Sequence, residues 1–558
     1  MMSVAAMPLA FLKRWTLGWT PWVLIALVLC AQSLPGIFAL PPLDRDESRY
    51  MQATTQMFET GDFVRISFQD DPRNKKPIGI HWAQAAVVGP TGAAEARATW
   101  VFRLPSLLGA LIACWATFWI GARLFSREVG LAAGLGLAAT VLIGTEAGIA
   151  KTDAALVGAI TAAMAGLVAL RTGGGKAGAF VFWAGLGAAV LIKGPVGPMV
   201  IGLTLAGLVI AERRAMWLKP LASPLAIGLG AAIALPWMVA IGIATDGAFF
   251  RDALMGDLAP KITGGHERHP GPPGFHAAIT PIIFFPMVLF LPVAAIAARR
   301  AWGRDADPRI LFLVAWALAG FVVFELAPTK LFHYTLPAHP AFALLAAAGL
   351  ALALGGSRAA RAVATILFGL GAAVAAAVLI AIPIEMNGDR TVGVVLAGGL
   401  GILALGALGA LWTRRTGSAF ALMLLTGLTF GIGARGVVLP GASDLDLSRR
   451  ASAALAAHGL HPRLSPGQPG PLVGASYNEP SLVFLTRTDS VLDRPETAAA
   501  AARSGAGAVL ESDKVAAFRQ ALLSQDLAAR EVVRVAGFDY SKGDPTTLVI
   551  LKIEPAQR

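Results

Sequence analysis

The sequence predicts an all-α polytopic membrane protein that ends in a small α/β domain, and three observations carry the prediction. First, 56% of the 558 residues are hydrophobic and only 14% are charged, whereas soluble chains carry about 25% Asp, Glu, Lys and Arg because a folded surface must face water. Second, apolar blocks of roughly 20 residues recur, enough at about 1.5 Å per residue to cross a hydrocarbon core about 30 Å thick. Third, from about residue 440 the pattern changes to short helical and β-prone runs.

The apolar blocks lie at about 19–40, 102–122, 129–149, 154–170, 178–192, 195–211, 221–243, 277–298, 310–327, 335–354, 361–384, 391–412 and 417–439, about thirteen spans. Lys13 and Arg14 precede the first block as in a secretory signal, but the run to Leu40 is long for a signal core and ends without a small-residue cleavage site. The net charge of +12 is spread over helix ends and does not point to nucleic acid. Alternate connections collect the bases Lys13/Arg14, Arg123/Arg127, Arg171/Lys176, Arg213/Arg214/Lys219, Arg299/Arg300/Arg304/Arg309, Arg358/Arg361 and Arg414/Arg415. The positive-inside rule makes these cytoplasmic. The N-terminus is then inside, and the loops 41–101 and 244–276 and the segment 440–558 face the periplasm, as expected of a bacterial inner-membrane protein. The 62 glycines and the many alanines let helices approach closely. Cys30 and Cys114 sit inside apolar blocks, so neither a disulfide framework nor a thiolate metal site is expected.

Two domains follow: 1–439, membrane-spanning, and 440–558, a periplasmic α/β unit. In the second, Leu447 to His458, Arg494 to Arg503 and Asp513 to Leu523 read as helical. Pro471 to Ala475, Ser481 to Leu485, Ala508 to Leu510 and Thr547 to Ile553 read as strands.

Chemistry concentrates at the outer connections. Asp44-Arg45-Asp46-Glu47-Ser48-Arg49-Tyr50 opens a helix that runs to Thr60 and stops at Gly61. Asp44 and Glu47 have capping-box spacing. Asp46 and Arg49 fall on one helix face just above a span, where an acid and a base can address a charged headgroup. Asn74-Lys75-Lys76-Pro77 precedes His81 and Trp82 in a connection where orientation needs no lysine, so the lysines suit an anionic lipid phosphate. Lys151 and Asp153 at the end of the third span either neutralise each other or serve a site. Lys193-Gly194-Pro195 separates two other spans, and Lys330, His333 and Tyr334 gather at the outer face near 330. In the loop 244–276, Lys261, His266, Glu267, Arg268, His269 and His276 lie among glycines and prolines. Without an HExxH pattern or a cysteine partner the loop reads as a water-excluding lid rather than a zinc site.

In their order along the chain, Asp-Glu-x-Arg-Tyr, Lys-Pro, Lys-Gly-Pro, Lys-x-x-x-Tyr-x-Leu-Pro and the tail stretch around Tyr477 to Phe484 resemble the GT-C membrane glycosyltransferases, more closely the lipid A aminoarabinose transferase group, kin of the protein O-mannosyltransferases. The resemblance implies an inverting sugar transfer from a polyprenyl (undecaprenyl) phosphate donor to lipid A or another lipopolysaccharide component. It implies that Asp46 is the essential acid, that Arg49 and Lys76 are cations at the donor phosphate, and that Tyr50 neighbours them. Lys330 and Tyr334 match a later outer-face motif, and Tyr477 and Glu479 lie in the tail motif. Lys75 stands where the aminoarabinose transferases usually carry a metal-associated Glu, so a divalent cation is in doubt, and a second cation at the phosphate takes its place.

Physical logic points the same way. Displacing a lipid phosphate builds charge on the leaving oxygens, which Arg49, Lys75, Lys76 and Lys330 would stabilise in a partly dehydrated site. A hydroxyl acceptor needs Asp46 as base, while an ionised phosphate acceptor needs it only for positioning. His81, Asp153, His333, Tyr334, Tyr477 and Glu479 complete the expected substrate contacts. A protein O-mannosyltransferase is the alternative within the enzyme class. A transporter or flippase would show inverted repeats and midplane charges, and neither is visible.

Overall fold

The structure, a computed structural model, describes residues 9–260, 271–303, 306–352 and 357–556. Among the described residues, nine helices are long and apolar enough to span a membrane: Thr20–Ala39, Thr99–Leu124, Thr152–Arg171, Gly175–Lys193, Pro224–Ala244, Pro308–Leu326, Arg358–Glu385, Arg390–Trp412 and Thr416–Gly441. Two more expected spans are each a bent pair, Arg127–Ala138 with Val141–Ala147 at 65° and Phe275–Ile283 with Met287–Ala301 at 113°. The remaining two are the shorter apolar helices Val196–Glu212 and Leu336–Ala351. Every expected apolar block is therefore helical, but not every one is a straight crossing. At the second bend Pro286 follows Phe285, where a missing N–H and a ring clash prevent the helix from continuing.

These helices expose apolar side chains on their outer faces, among them Ile210, Leu225, Ile243, Ile366, Ile402 and Leu405, as lipid-facing helices do. Inside the bundle small residues set the spacing. A Cβ at Gly109 would come within 2.6 Å of the Ala154 carbonyl oxygen, so Thr99–Leu124 and Thr152–Arg171 meet backbone to backbone.

The loop 41–101 is a folded unit. Its helix Arg45–Thr60 starts where the Asp44 carboxylate accepts from the amides of Asp46 and Glu47, at 2.7 and 3.1 Å, and ends at Gly61 with φ 71°. Glu47 does not close the capping box. It is buried against Arg103, whose Nε and Nη2 donate to it at 2.8 and 3.0 Å, and it also accepts from the amide of Ala150. The other Arg103 donors take carbonyls at the end of the first span, including Leu40 and Pro41. One arginine thus fastens the outer helix to two spans. A hairpin of β1 (Ser67–Phe68) and β2 (Asp71–Pro72) and a helix Gly79–Thr91 complete the loop. In the loop 244–276, Ala248–Arg251 runs into a π-helical stretch, Asp252–Leu258.

Beyond the last span a five-stranded mixed sheet forms, in the order β4 (Val491–Asp493), β3 (Val473–Ala475), β5 (Gly507–Glu511), β7 (Asp544–Pro555), β6 (Leu527–Asp539). β3 is parallel to both neighbours, and β7 is antiparallel to β5 and β6. Along β7, Val549, Leu551 and Ile553 pack on one face and Leu548 and Ile550 on the other, the period of two expected of a strand covered on both sides. The stretch expected as a strand at Ser481 to Leu485 is instead a helix, Pro480–Leu485. Pro480 sits at its first turn, and Leu482, Val483 and Phe484 are buried. This helix lies against Arg45–Thr60 and the start of Thr99–Leu124, where Phe484 meets Phe102 edge to face; just beyond it, Thr488 accepts from Gln52 at 2.7 Å.

Candidate active site

A cavity of about 270 Å³ opens between the loop 41–101 and the adjoining ends of the spans. Asp46, Tyr50 and Lys76 reach it from the loop, Lys151 and Asp153 from the start of Thr152–Arg171, and Lys193 from the end of Gly175–Lys193. His333 and Tyr334 reach it from the connection after Pro308–Leu326, and Asp257 from the π-helical stretch. The rest of the wall is apolar, including Leu156, Val196, Met199, Val323, Phe324 and Leu336.

Each charged group is held by opposite charge. Asp46 accepts from Arg73 at 3.0 Å and faces Arg49 at 3.5 Å. Burial pushes its carboxyl up, but Arg73 and Arg49 outweigh this and hold it below the usual carboxylate range. Lys76 pairs with Asp257. Lys151 reaches Asp44 at 3.3 Å and Glu146 at 3.4 Å. Burial disfavours its charge, yet those acids and Asp153 raise its pKa. Lys193 bonds Asp153 at 2.5 Å, so Lys151 and Asp153 do not simply neutralise each other. His333 lies 3.7 Å from Asp153 and 3.9 Å from Glu146. Burial brings its imidazole down to about 3 despite Asp153, with Lys151 and Lys193 adding to the shift. Tyr50 stacks beside Arg73, and burial first, then Asp46, raises its phenol.

Several expected residues lie elsewhere. Lys75 is exposed and does not line the cavity, because only one of two consecutive side chains in that turn faces inward. Lys330 is buried, but its ammonium donates to the carbonyls of Phe324 and Glu325, capping the end of Pro308–Leu326 as a cation does at a helix C-terminus. His81 is buried against Thr54, 2.9 Å from its hydroxyl, and Thr54 in turn donates to Gln84. Burial and Arg73 hold its imidazole down at about 3, which makes it a neutral packing residue under the site. Tyr477 is buried in the C-terminal unit, bonded to Ser448 at 2.8 Å. Glu479 faces Arg45 at 3.6 Å, so the tail touches the residue before Asp46 and not the cavity itself. Lys261, His266, Glu267, Arg268 and His269 fall outside the described residues. His276 is described and turns its Nε2 to the Leu331 carbonyl.

The sequence offered no reason to single out Arg73, Asp257 or Glu146. Arg73 lies in a polar stretch, and the two acids become site residues only through contacts about 180 residues away for Asp257 and with the far connection for Glu146. Among the described residues no three His, Cys, Asp or Glu side chains gather as a metal site would require. Exposed Lys75 provides no ligand for a divalent cation.

Comparison with known proteins fits this architecture. Residues 75–239 match a family model described as dolichyl-phosphate-mannose-protein mannosyltransferase. An undecaprenyl phosphate-alpha-4-amino-4-deoxy-L-arabinose arabinosyl transferase of Aeromonas hydrophila is 27% identical over 324 residues, covering 56% of this chain and 57% of its own length. The protein of the same name from Edwardsiella ictaluri is 26% identical over 59% of each chain. The chain thus spans little more than half the length of these curated relatives. A crystal structure of ArnT from Cupriavidus metallidurans bound to undecaprenyl phosphate shares the fold with a TM-score of 0.70 at 20% identity, over 95% of this chain and 97% of that one. Sequence match and fold thus make the chain similar, over part of its length, to the dolichyl-phosphate-mannose-protein mannosyltransferase family model and to the undecaprenyl phosphate-aminoarabinose transferases, and it shares the ArnT fold.

Proposed function

We propose that this protein transfers a sugar from an undecaprenyl phosphate-linked donor to lipid A or another lipopolysaccharide component at the periplasmic face of the bacterial inner membrane. The observation that carries the reading is a single cavity with a charged pole and an apolar wall. That combination suits an amphiphile whose phosphate must be gripped while its prenyl chain stays in hydrocarbon. On this reading the N-terminus is cytoplasmic, the two long loops are periplasmic, and residues 440–558 form a periplasmic domain docked on the first of them.

Lys76 is the donor-phosphate cation contributed by the outer loop, with Lys151 and Lys193 at membrane level, while Arg49 stands beside Asp46 and does not line the cavity. As the bond between the anomeric carbon and the phosphate oxygen breaks, charge grows on the leaving oxygens. Cations already fixed by Asp257, Glu146 and Asp153 stabilise it without reorganising. Asp46, kept anionic by Arg73 and Arg49, orients the acceptor and the developing positive charge on the sugar ring. Asp46→Asn is expected to lower kcat at least about a hundredfold while leaving expression and folding intact. Near-normal transfer by purified Asp46→Asn would remove Asp46 from the site.

A further inference from the structure

The C-terminal unit does not line the cavity, yet it grips the loop 41–101 at two points on either side of Asp46. One is the tip of the β1–β2 hairpin. Gln69, the first residue of its two-residue turn, donates from Nε2 to the carbonyls of Thr488 and Ser490 at 2.9 and 2.6 Å. Its φ is 56°, a left-handed value that glycine adopts at least cost in such a turn. Glutamine gives up that ease and supplies a side chain long enough to reach the C-terminal unit. The other point is the start of Arg45–Thr60, where Arg45 donates to the Asn478 carbonyl at 3.3 Å and faces Glu479 at 3.6 Å. The helix also holds the hairpin tip itself, through Gln56, whose side-chain amide accepts from the Gln69 N–H at 2.8 Å and donates to its carbonyl at 2.9 Å. Arg73 closes the hairpin: its amide donates to the Ile66 carbonyl at 2.7 Å, and its guanidinium holds Asp46 at 3.0 Å while lying over the Tyr50 ring. The Asp46–Arg73 pair thus joins the two elements that the C-terminal unit fixes.

We infer that the C-terminal unit is a template for the acid of the transfer site, and that Gln69 is the positioning residue through which it sets Arg73 against Asp46. The inference rests on the glycosyl-transfer reading above and gives residues 440–558 a task within it. An arginine–carboxylate pair depends on direction as well as distance, so supports at the hairpin tip and at the helix start fix its geometry. Without the Gln69 contact the hairpin keeps its hold on the helix through Gln56 but loses its support from the C-terminal unit, and Arg73 drifts from Asp46. The groups facing Asp46 are Arg73 from the hairpin, Arg49 and Tyr50 from its own helix, and Lys151 from the start of Thr152–Arg171. Burial, which raises the Asp46 carboxyl, is then opposed by Arg49 and Lys151 with less help from Arg73. Asp46 takes up a proton more readily as pH falls, and the defect grows toward acid pH.

The test uses the full-length protein in lipid nanodiscs, with undecaprenyl phosphate-linked 4-amino-4-deoxy-L-arabinose as donor and lipid A as acceptor, from pH 5 to pH 8. Glycine suits the backbone of the turn, so Gln69→Gly removes the contact without adding strain. Its kcat relative to wild type is expected to be at least about threefold smaller at pH 5 than at pH 8, with the donor KM within about twofold because Lys76 is untouched. Gln69→Asn keeps the amide on a side chain one methylene shorter and should show the same trend more weakly. Arg73→Gln should show it more strongly. If Gln69→Gly does not accumulate, the other two variants carry the same test. A wild-type profile in Gln69→Gly overturns the inference, and so does a loss equal at every pH, which would make the contact a support of the fold only. A rise in donor KM larger than the fall in kcat also overturns it, since the hairpin would then serve the donor. So does an Arg73→Gln enzyme with no extra loss at acid pH. A wild-type protein that transfers no sugar from this or any other lipid-linked donor overturns the glycosyl-transfer reading itself, whereas the preceding outcomes leave that reading standing.

Discussion

On the proposed reading Asp46 and Lys76 divide the work at the level of single residues, and their electrostatic surroundings predict different kinetic signatures. Because Arg73 and Arg49 hold the Asp46 carboxyl below its usual range, it is ionised throughout the neutral region. The loss in Asp46→Asn should therefore be the same at pH 6, 7 and 8, and an effect that vanishes at the acid end would contradict a permanently charged Asp46. Lys76→Ala should raise the KM for the lipid-linked donor by about tenfold or more while changing the acceptor KM little, since a charge-assisted hydrogen bond to a bound anion is worth about 1.5–3 kcal/mol. Equal losses for both substrates would contradict a phosphate role. Part of this was legible beforehand. Asp46, Arg49, Tyr50 and Lys76 sit in one short outer loop next to a span, where charge has no reason of orientation to be. Lys75 and Lys330 show the limit: both are lysines in the right connections, but a turn points one to water and a helix end claims the other. Residue type and position along the chain do not reveal which way a side chain points.

At the scale of elements, the loop helix Arg45–Thr60 owes its place to one buried ion pair. Arg103 and Glu47 are both almost fully inaccessible and satisfy each other and neighbouring backbone groups. Removing one partner strands a charge and costs about 3–5 kcal/mol. Arg103→Ala is expected to lower the unfolding temperature and to expose the outer helix to protease before the rest of the bundle. Unchanged stability and protection would show that other contacts hold the helix. The start and stop of this helix were visible as Asp44 and Gly61, whereas the partner of Glu47 was not, because Arg103 lies 56 residues away inside a span. The strand β6 was missed for a different reason. Its Arg530, Glu531 and Arg534 break the apolar alternation, as suits an edge strand that must resist pairing with another chain. The run Ser481 to Leu485 was misassigned because five apolar-rich residues fit a buried strand or a short buried helix equally well, and only packing against the first loop decides between them.

For the whole molecule, the apolar blocks defined a multi-pass membrane protein correctly, since hydrocarbon thickness constrains helix length and composition directly. The bends of 65° and 113° were invisible to that argument, which counts residues and ignores direction. Those bends matter, since one of them delivers Glu146 to the site. The account's central claim is that an anionic prenyl-phosphate sugar is held at the outer face by fixed cations beside Asp46 and its sugar passed to an envelope glycolipid. Mass spectrometry of lipid A and the other envelope glycolipids, from cells expressing either the wild-type protein or Asp46→Asn at equal level, tests that claim most directly. The account predicts one glycolipid that is lighter by a single sugar in the Asp46→Asn cells; identical profiles in the two strains would contradict it.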